Sequence, residues 1–471
     1  MNRFVCSVSV LALLSACAAP SQPAVNTPQA FLITPSAATD EPAAVWPSQQ
    51  WWTGFENDEL SALIARAAEN NRNLKASVAR ILQAEASAKA AGAALFPSLS
   101  ASGSISRAGG DARADTTSTQ AGLSASYQVD LFGQVSANTA AAAQRIDSSL
   151  YDRETVRITL FSDVATTYLQ VLSIRDRLRL AEERLRIAEN LLSLVETQRR
   201  IGVVSDLELS QQRSAIASQR ASIPALKVSE RQSLDALAVL LSTLPEEFAV
   251  EGRTLATLKL PTIAAGLPAS LLERRPDLRK AESDLKANGY DVAAARAARL
   301  PSLQLTASGG TASDSLSGLF NSGTFITNLG ASLAAPIFQG GRLQANEQAA
   351  RARRMELVET YQQSVIAAFR DVEDALAAAT QTGAQYDFAN EAYIQAAEAY
   401  RLAELRYRNG AVNFQTVLNA QTAVLSAQET LVSSGLARLS AVVTLTKALG
   451  GGWDGATPQR LSLADNLAPL N

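Results

Sequence analysis

FPSLSASGSISR, residues 96–107, and GLSASYQVDLFG, residues 122–133, are two alternating runs joined by a polar loop. The pattern occurs a second time, as LPSLQLTASGG at 300–310 and TFITNLGASLAAPIFQGG at 324–341. In the first run Leu99, Ala101, Gly103 and Ile105 fall on one side, and Ser98, Ser100, Ser102, Ser104 and Ser106 on the other. In the next run Leu123, Ala125, Tyr127, Val129 and Leu131 oppose Gly122, Ser124, Ser126, Gln128 and Asp130. A side-chain period of two is the signature of a strand. Small polar residues on one face and apolar ones on the other fit a barrel wall with water inside and lipid outside.

Four such strands cannot close on themselves, since about eight is the smallest number that encloses a filled interior. An open sheet edge cannot sit in hydrocarbon, because each unpaired backbone group there costs several kcal/mol. Strands from one chain that span a membrane therefore need identical copies to complete the wall. Three chains would supply twelve.

Composition narrows the function. The 471 residues carry 42 Lys+Arg against 45 Asp+Glu, a formal charge of −3, so no basic excess points to nucleic acid. The chain contains no histidine, which removes the commonest general base and metal ligand. Its two cysteines, Cys6 and Cys17, both lie near the N-terminus and cannot build a disulfide framework or a metal cluster. No metal site and no cofactor is expected. No apolar run reaches the ~20 residues of a membrane-spanning helix. The glycine pairs and runs, Gly309-Gly310 and 450–452, lack the Lys-Ser/Thr ending of a phosphate loop and read as structural. Asp371, Glu373 and Asp374, close together in a helical stretch, read as a solvated face.

At the N-terminus, Arg3 and the apolar stretch 4–14 form a secretory signal covering residues 1–16. It ends Leu14-Ser15-Ala16-Cys17, which resembles the bacterial lipobox. That resemblance implies cleavage before Cys17 and acylation of its thiol and new amino group. An ordinary signal cut after Ala16 is the alternative. Ala18 in place of Asp implies sorting to the outer membrane. Residues 17–50, rich in Ala, Pro, Ser and Thr, read as an extended tether, and Trp51, Trp52 and Phe55 as the point where it docks.

The whole chain repeats. Pro97 and Pro301 each open a strand after an Ala-rich helix, because proline cannot continue a helix but is allowed at a strand's first residue. RRIGVVSDLEL at 199–209 matches YRNGAVNFQTV at 407–417, with Gly202 and Gly410 ending one helix in a left-handed residue before the next begins. Between hairpin and glycine lies one long helix, about 134–201 in the first copy and about 342–408 in the second. In the first, Val164, Val171, Leu178, Leu185 and Leu192 recur every seven residues, beside a seam of Phe161, Tyr168, Ile174, Ala181, Ala188 and Val195. Sustained heptads imply a coiled-coil contact. At 1.5 Å per residue each helix is roughly 100 Å long. Helices over 60–95 and 205–244 would lie end to end beside it. The expected organisation is a first repeat over 51–244 with its hairpin at 98–132, an equatorial linker over 245–275, a second repeat over 276–450 with its hairpin at 302–338, and a tail over 451–471. The fold class is mainly α with a membrane β portion.

The lipobox, the duplicated helix–hairpin–helix–helix plan, the FPSL and LPSL entries at Pro97 and Pro301, the DLFG and PIFQGG exits at Gly133, Pro336 and Gly340, and the G-x-V turns together resemble the outer membrane factor family. The nearest subgroup is the NodT or OprM-type efflux lipoproteins, relatives of TolC. The resemblance implies a homotrimer with a twelve-stranded β-barrel in the outer membrane and a long α-barrel in the periplasm. It also implies a periplasmic adaptor (membrane fusion protein) and an inner-membrane pump as partners, with passive exit of drugs or other small molecules. A same-fold duct for heavy-metal efflux or type I protein secretion is the alternative, and a periplasmic coiled-coil adaptor lipoprotein ranks below both. No enzymatic activity is expected.

By the same resemblance the periplasmic gate would lie at the Gly202 and Gly410 turns. Glu208, six residues after Gly202, matches an acidic site that rings the entrance in relatives, and Asp206 sits nearby. The second copy has Thr416 and Asn419 instead, so the paired acidic ring is absent. Tyr407 matches a tyrosine that relatives use to hold the entrance shut. Helix N-terminal charge is the plain reading of Asp206 and Glu208. Arg199, Arg200, Arg406 and Arg408 gather at the same tip, either pairing with acidic groups across protomers, meeting the adaptor, or as C-terminal helix charge. Phe96, Tyr127, Phe132, Phe320, Phe325 and Phe338 near strand ends read as an aromatic girdle or, for Phe96 and Phe132, as packing against helices. Asp111, Arg113, Asp115 and Asp314 read as external loop tips.

Overall fold

A computed structural model describes residues 32, 47–110, 113–202, 204–261, 268–319 and 325–456. Cys17, the signal 1–16, most of the 17–50 tether, Asp111, Phe320 and most of the 451–471 tail lie outside the described residues.

The elements run α1 (Asp58–Asn70), α2 (Arg72–Ala93), β1 (Ser98–Gly110), β2 (Arg113–Val129), α3 (Gln134–Arg200), α4 (Asp206–Leu240), α5 (Pro268–Arg274), α6 (Pro276–Ala297), β3 (Ser302–Ser313), β4 (Phe325–Ala334), α7 (Arg342–Arg408) and α8 (Phe414–Ala448). The four strands form one antiparallel sheet in the order β1-β2-β3-β4. Its register stacks Leu99, Ala125, Ala307 and Leu329 across one face. On the other face serine hydroxyls pair between strands, Ser98 with Ser126 and Ser100 with Ser124, at 2.8 Å each. The apolar face is open, with Leu99, Leu329 and Leu333 all largely exposed. Glycine at Gly122 and Gly310 permits close passage of neighbouring strands, because a Cβ on Gly310 would meet the Ala121 carbonyl oxygen at 2.5 Å.

Several expected boundaries move. The expected long polar loop of the first hairpin is largely strand, since β1 runs to Gly110 and β2 starts at Arg113, paired with it, so Arg113 and Asp115 belong to a strand. Strands stop at Val129 and Ala334, before the expected ends at 132 and 338, so Pro336 lies in the connection beyond β4. Asp130 leaves the strand because its carboxylate caps α3. It accepts from the Val135 amide at 3.0 Å, the Ser136 amide at 2.8 Å and the Ser136 hydroxyl at 2.6 Å. The single helix expected over 60–95 is broken at Asn71, whose backbone turns out of helical geometry. Its side chain accepts from the Leu74 amide at 2.9 Å and donates to the Leu240 carbonyl at 2.8 Å. One residue thereby starts α2 and joins it to the end of α4.

Both long helices span 67 residues. α3 packs against α2 and α4 of its own repeat and against α6 and α8 of the other, while α7 packs against α6 and α8. The expected seam Phe161, Tyr168, Ile174, Ala181, Ala188 and Val195 is buried throughout, whereas Leu178, Leu185 and Leu192 are half-buried. The main core sits at mid-height of α3. Trp51, Phe55, Leu60, Val164, Tyr168, Leu172, Phe248, Val250 and Val443 meet there. Trp52 stands edge-on to Phe161 at 5.2 Å, which fixes the entry of the chain. The linker is strapped to the same level. Arg175 donates to the carbonyls of Val250, at 2.8 Å, and Gly252, and pairs with Glu230 at 2.8 Å. Glu59 accepts from the amides of Glu251 and Gly252 and from the Tyr168 hydroxyl. Asp371 and Glu373 are more than a solvated face. Asp371 pairs with Arg275 at 3.3 Å, and Glu373 accepts from the Leu32 amide at 2.7 Å.

Candidate functional site

The two glycine turns lie side by side at the end of the helical body opposite the sheet. Gly202 and Gly410 take φ of 77° and 71°, the left-handed conformation that closes α3 and α7. At the second turn the amides of Asn409, Gly410 and Ala411 return to the carbonyls of Leu405, Tyr407 and Arg406. The chain then re-enters a helix through a cap that differs between copies. Ser205 and Glu208 form a reciprocal capping box, with the Ser205 amide donating to Glu208 at 2.6 Å. In the second copy Asn413 accepts from the Thr416 amide at 3.0 Å and hydroxyl at 2.8 Å. A cluster of Leu191, Val195, Val204, Ala403, Tyr407, Phe414 and Val417 joins the two turns.

Tyr407 is central to that cluster. Its ring lies 5.6 Å from Phe414, and its hydroxyl donates to Gln198 on α3 at 2.6 Å. Burial, with the nearby Glu208 charge, pushes its pKa above the usual tyrosine value, so it stays a neutral donor. Arg199 pairs with Asp206 through two hydrogen bonds, 2.7 and 3.0 Å, across the first glycine turn. These bonds hold Asp206 below the ordinary carboxylate range. Arg408 pairs with Glu404. Arg199 and Arg408 thus each pair with an acidic group of their own chain, not with one across protomers. Glu208 serves its own helix as a cap. Arg200 and Arg406 are exposed and have no acidic partner among the described residues. Gln198, the acceptor for Tyr407, carries no sequence signal. Asp130 did carry one, an acidic residue shortly before a helix start.

At the other end, Pro97 and Pro301 immediately precede β1 and β3. Gly133, with φ of 73°, and the Gly340-Gly341 pair, with φ of 58° and 82°, turn the chain from strand to helix. Phe96 and Phe338 are exposed there and Phe132 partly so, which fits an interfacial girdle better than helix packing. No cluster of His, Cys, Asp or Glu able to hold a metal ion occurs among the described residues. No described helix is long and apolar enough to cross a membrane.

The family model of outer membrane efflux proteins matches residues 63–243 and 267–451, once for each half. The chain is 38% identical over 473 residues to the pyoverdine export outer membrane protein OpmQ of Pseudomonas putida, covering 98% of this chain and all of that protein. It is 34% identical over 452 residues to the cation efflux system protein CusC of Escherichia coli, covering 94% and 97%. Among solved structures, the open state of the Neisseria gonorrhoeae MtrE outer membrane channel superposes with a TM-score of 0.85 at 31% identity, covering 93% of this chain and 99% of that one.

Proposed function

This chain belongs to the outer membrane efflux protein family, and from that premise we propose that three copies build one continuous exit duct. It is the outer membrane channel component of an efflux system. The observation that carries the trimer is the sheet itself, with β1 and β4 at its two edges and an exposed apolar face. Pairing β4 with β1 of the next copy removes every edge and gives twelve strands. The long helices would close below as an α-barrel in the periplasm. Cross-linking and light scattering of the protein in detergent would show a trimer that conducts in planar bilayers. A folded monomer with no pore would overturn the reading.

The duct is passive. It requires a pump in the inner membrane and a periplasmic adaptor, and it contributes no catalytic step. Cys17, acylated after cleavage, anchors the N-terminus to the outer membrane, and a shift in mass on Cys17→Ala tests this. The similarity to proteins named for pyoverdine, solvent and cation efflux supports cargo choice by the pump. Small organic molecules remain the favoured cargo, since a match spanning nearly the whole chain is to a pyoverdine exporter.

The gate we assign to the tip. Tyr407 latches α7 to α3, while Arg200 and Arg406, lacking acidic partners among the described residues, hold the entrance through neighbouring copies or the adaptor. Asp206, Glu208, Arg199 and Arg408 shape the turns that present them. Conductance of Arg406→Ala and Glu208→Ala channels tests the gate, and wild-type openings in both would remove it.

A further inference from the structure

Glu347, on the second turn of α7, is surrounded by three arginines. Arg299 contacts it at 2.5 Å, Arg351 at 2.5 Å and Arg296 at 3.6 Å. The carboxylate is nearly buried, and the three guanidinium-bearing side chains are about half exposed. One carboxylate cannot compensate three guanidinium charges, and none of the three arginines has a second acidic partner among the described residues. Hydrogen bonds from Arg299 and then Arg351 hold the Glu347 pKa at about 2, so the group does not change charge at any ordinary pH.

Position gives this excess a meaning. Arg299 stands three residues before β3, and Arg342, which contacts the neutral Gln339, opens α7. Ile337 and Phe338, on the link between β4 and α7, are almost fully exposed. The 10 residues of β4, at ~3.3 Å each and tilted by ~45°, span roughly the 25 Å apolar band of a membrane barrel. The arginines therefore lie just outside that band, at headgroup depth, beneath exposed apolar side chains. The first repeat lacks them. The matching residues are Gly92 and Leu95 at the end of its helix and Gln134, Thr139 and Ala143 after its hairpin.

We propose that Arg296, Arg299 and Arg351 bind the phosphate of an anionic phospholipid headgroup in the periplasmic leaflet, the single Glu347 charge leaving an excess of cation for it. The assignment rests on the outer membrane placement of the sheet and not on trimer formation or gating. Arginine forks match phosphate oxygens geometrically, and each basic residue near an anionic surface contributes enough for about fivefold in affinity.

The test is retention of phosphatidylglycerol against phosphatidylethanolamine by the purified full-length protein, read by native mass spectrometry. Wild type is expected to retain phosphatidylglycerol preferentially. Removing the cations and their carboxylate together (R296Q/R299Q/R351Q/E347Q) should abolish the preference. Glu347→Gln alone, which uncovers one further positive charge, should raise retention by about fivefold. Equal preference in wild type and the quadruple variant would overturn the proposal, as would loss of the trimer with lipid retention unchanged, which would place the charges at a subunit contact. Inorganic phosphate that binds alone and fully displaces the lipid would also overturn it, in favour of a free-anion site. Should the quadruple variant fail to fold, unchanged retention in Glu347→Gln decides against it.

Discussion

The Tyr407 hydroxyl donates to the Gln198 side-chain carbonyl at 2.6 Å, tying the last turns of the two long helices together although 209 residues separate them. Together with the apolar cluster around Phe414, it joins the two repeats at the glycine-turn end of the helices. Tyr407→Phe keeps the ring against Phe414 and removes only the hydroxyl. A net loss of about 1 kcal/mol is expected for that bond, seen as more frequent channel opening in planar bilayers. Because the tyrosine pKa is raised, the latch is fully present below pH ~10 and weakens only above it. Opening that varied between about pH 6 and 8 through this residue would contradict the assignment.

At Gly410 a Cβ would meet nothing within 4 Å, so only the backbone opposes substitution. Gly410→Ala should cost about 1–2 kcal/mol through its left-handed φ, and Gly410→Asn less. Thermal unfolding of the detergent-solubilised protein would rank the three.

Phe55 is fully buried between α1 and the linker core. Phe55→Ala should cost about 3–5 kcal/mol. Limited proteolysis should then cut first near residue 57, where the N-terminal segment meets the helical body.

The Arg199–Asp206 pair is exposed on both sides. A double-mutant cycle with Arg199→Ala and Asp206→Ala should give a coupling below about 1 kcal/mol that fades in high salt. A larger coupling would mean that the pair is covered in the assembled tip.

Glu347 titrates in the opposite sense to Tyr407. Its folded pKa, about 2, lies below the ordinary 4.5, so its contribution is complete above the unfolded value and is lost as pH falls from 4.5 towards 2. The melting advantage of wild type over Glu347→Gln should be constant at neutral pH and shrink across that window.

Much of the architecture was legible because it is periodic. Ser98 to Ser106 alternate with apolar residues whatever the chain does elsewhere, and the heptads of Val164 to Leu192 give a long helix from spacing alone. The turns at Gly202 and Gly410 and the strand starts after Pro97 and Pro301 followed from residue conformation. The helix break at Asn71 was hidden, since its cause is a hydrogen bond to Leu240, 169 residues away. The tip was half legible. Arg199 and Asp206 are near in sequence and suggest their pairing, while Gln198 has nothing to mark it as the acceptor for Tyr407.

The sequence by itself determined the number of strands, the length of the two long helices, the duplication and the shortage of strands for a barrel closed by one chain, because these depend on local conformation and on what lipid tolerates. Only the tertiary structure decided that α6 of the second repeat lies against α3 of the first, that Tyr407 meets Gln198, and that Arg296 and Arg299 reach Glu347. Those facts rest on contacts between residues distant along the chain. Such contacts are chosen by packing and charge pairing, which no local pattern of residues encodes.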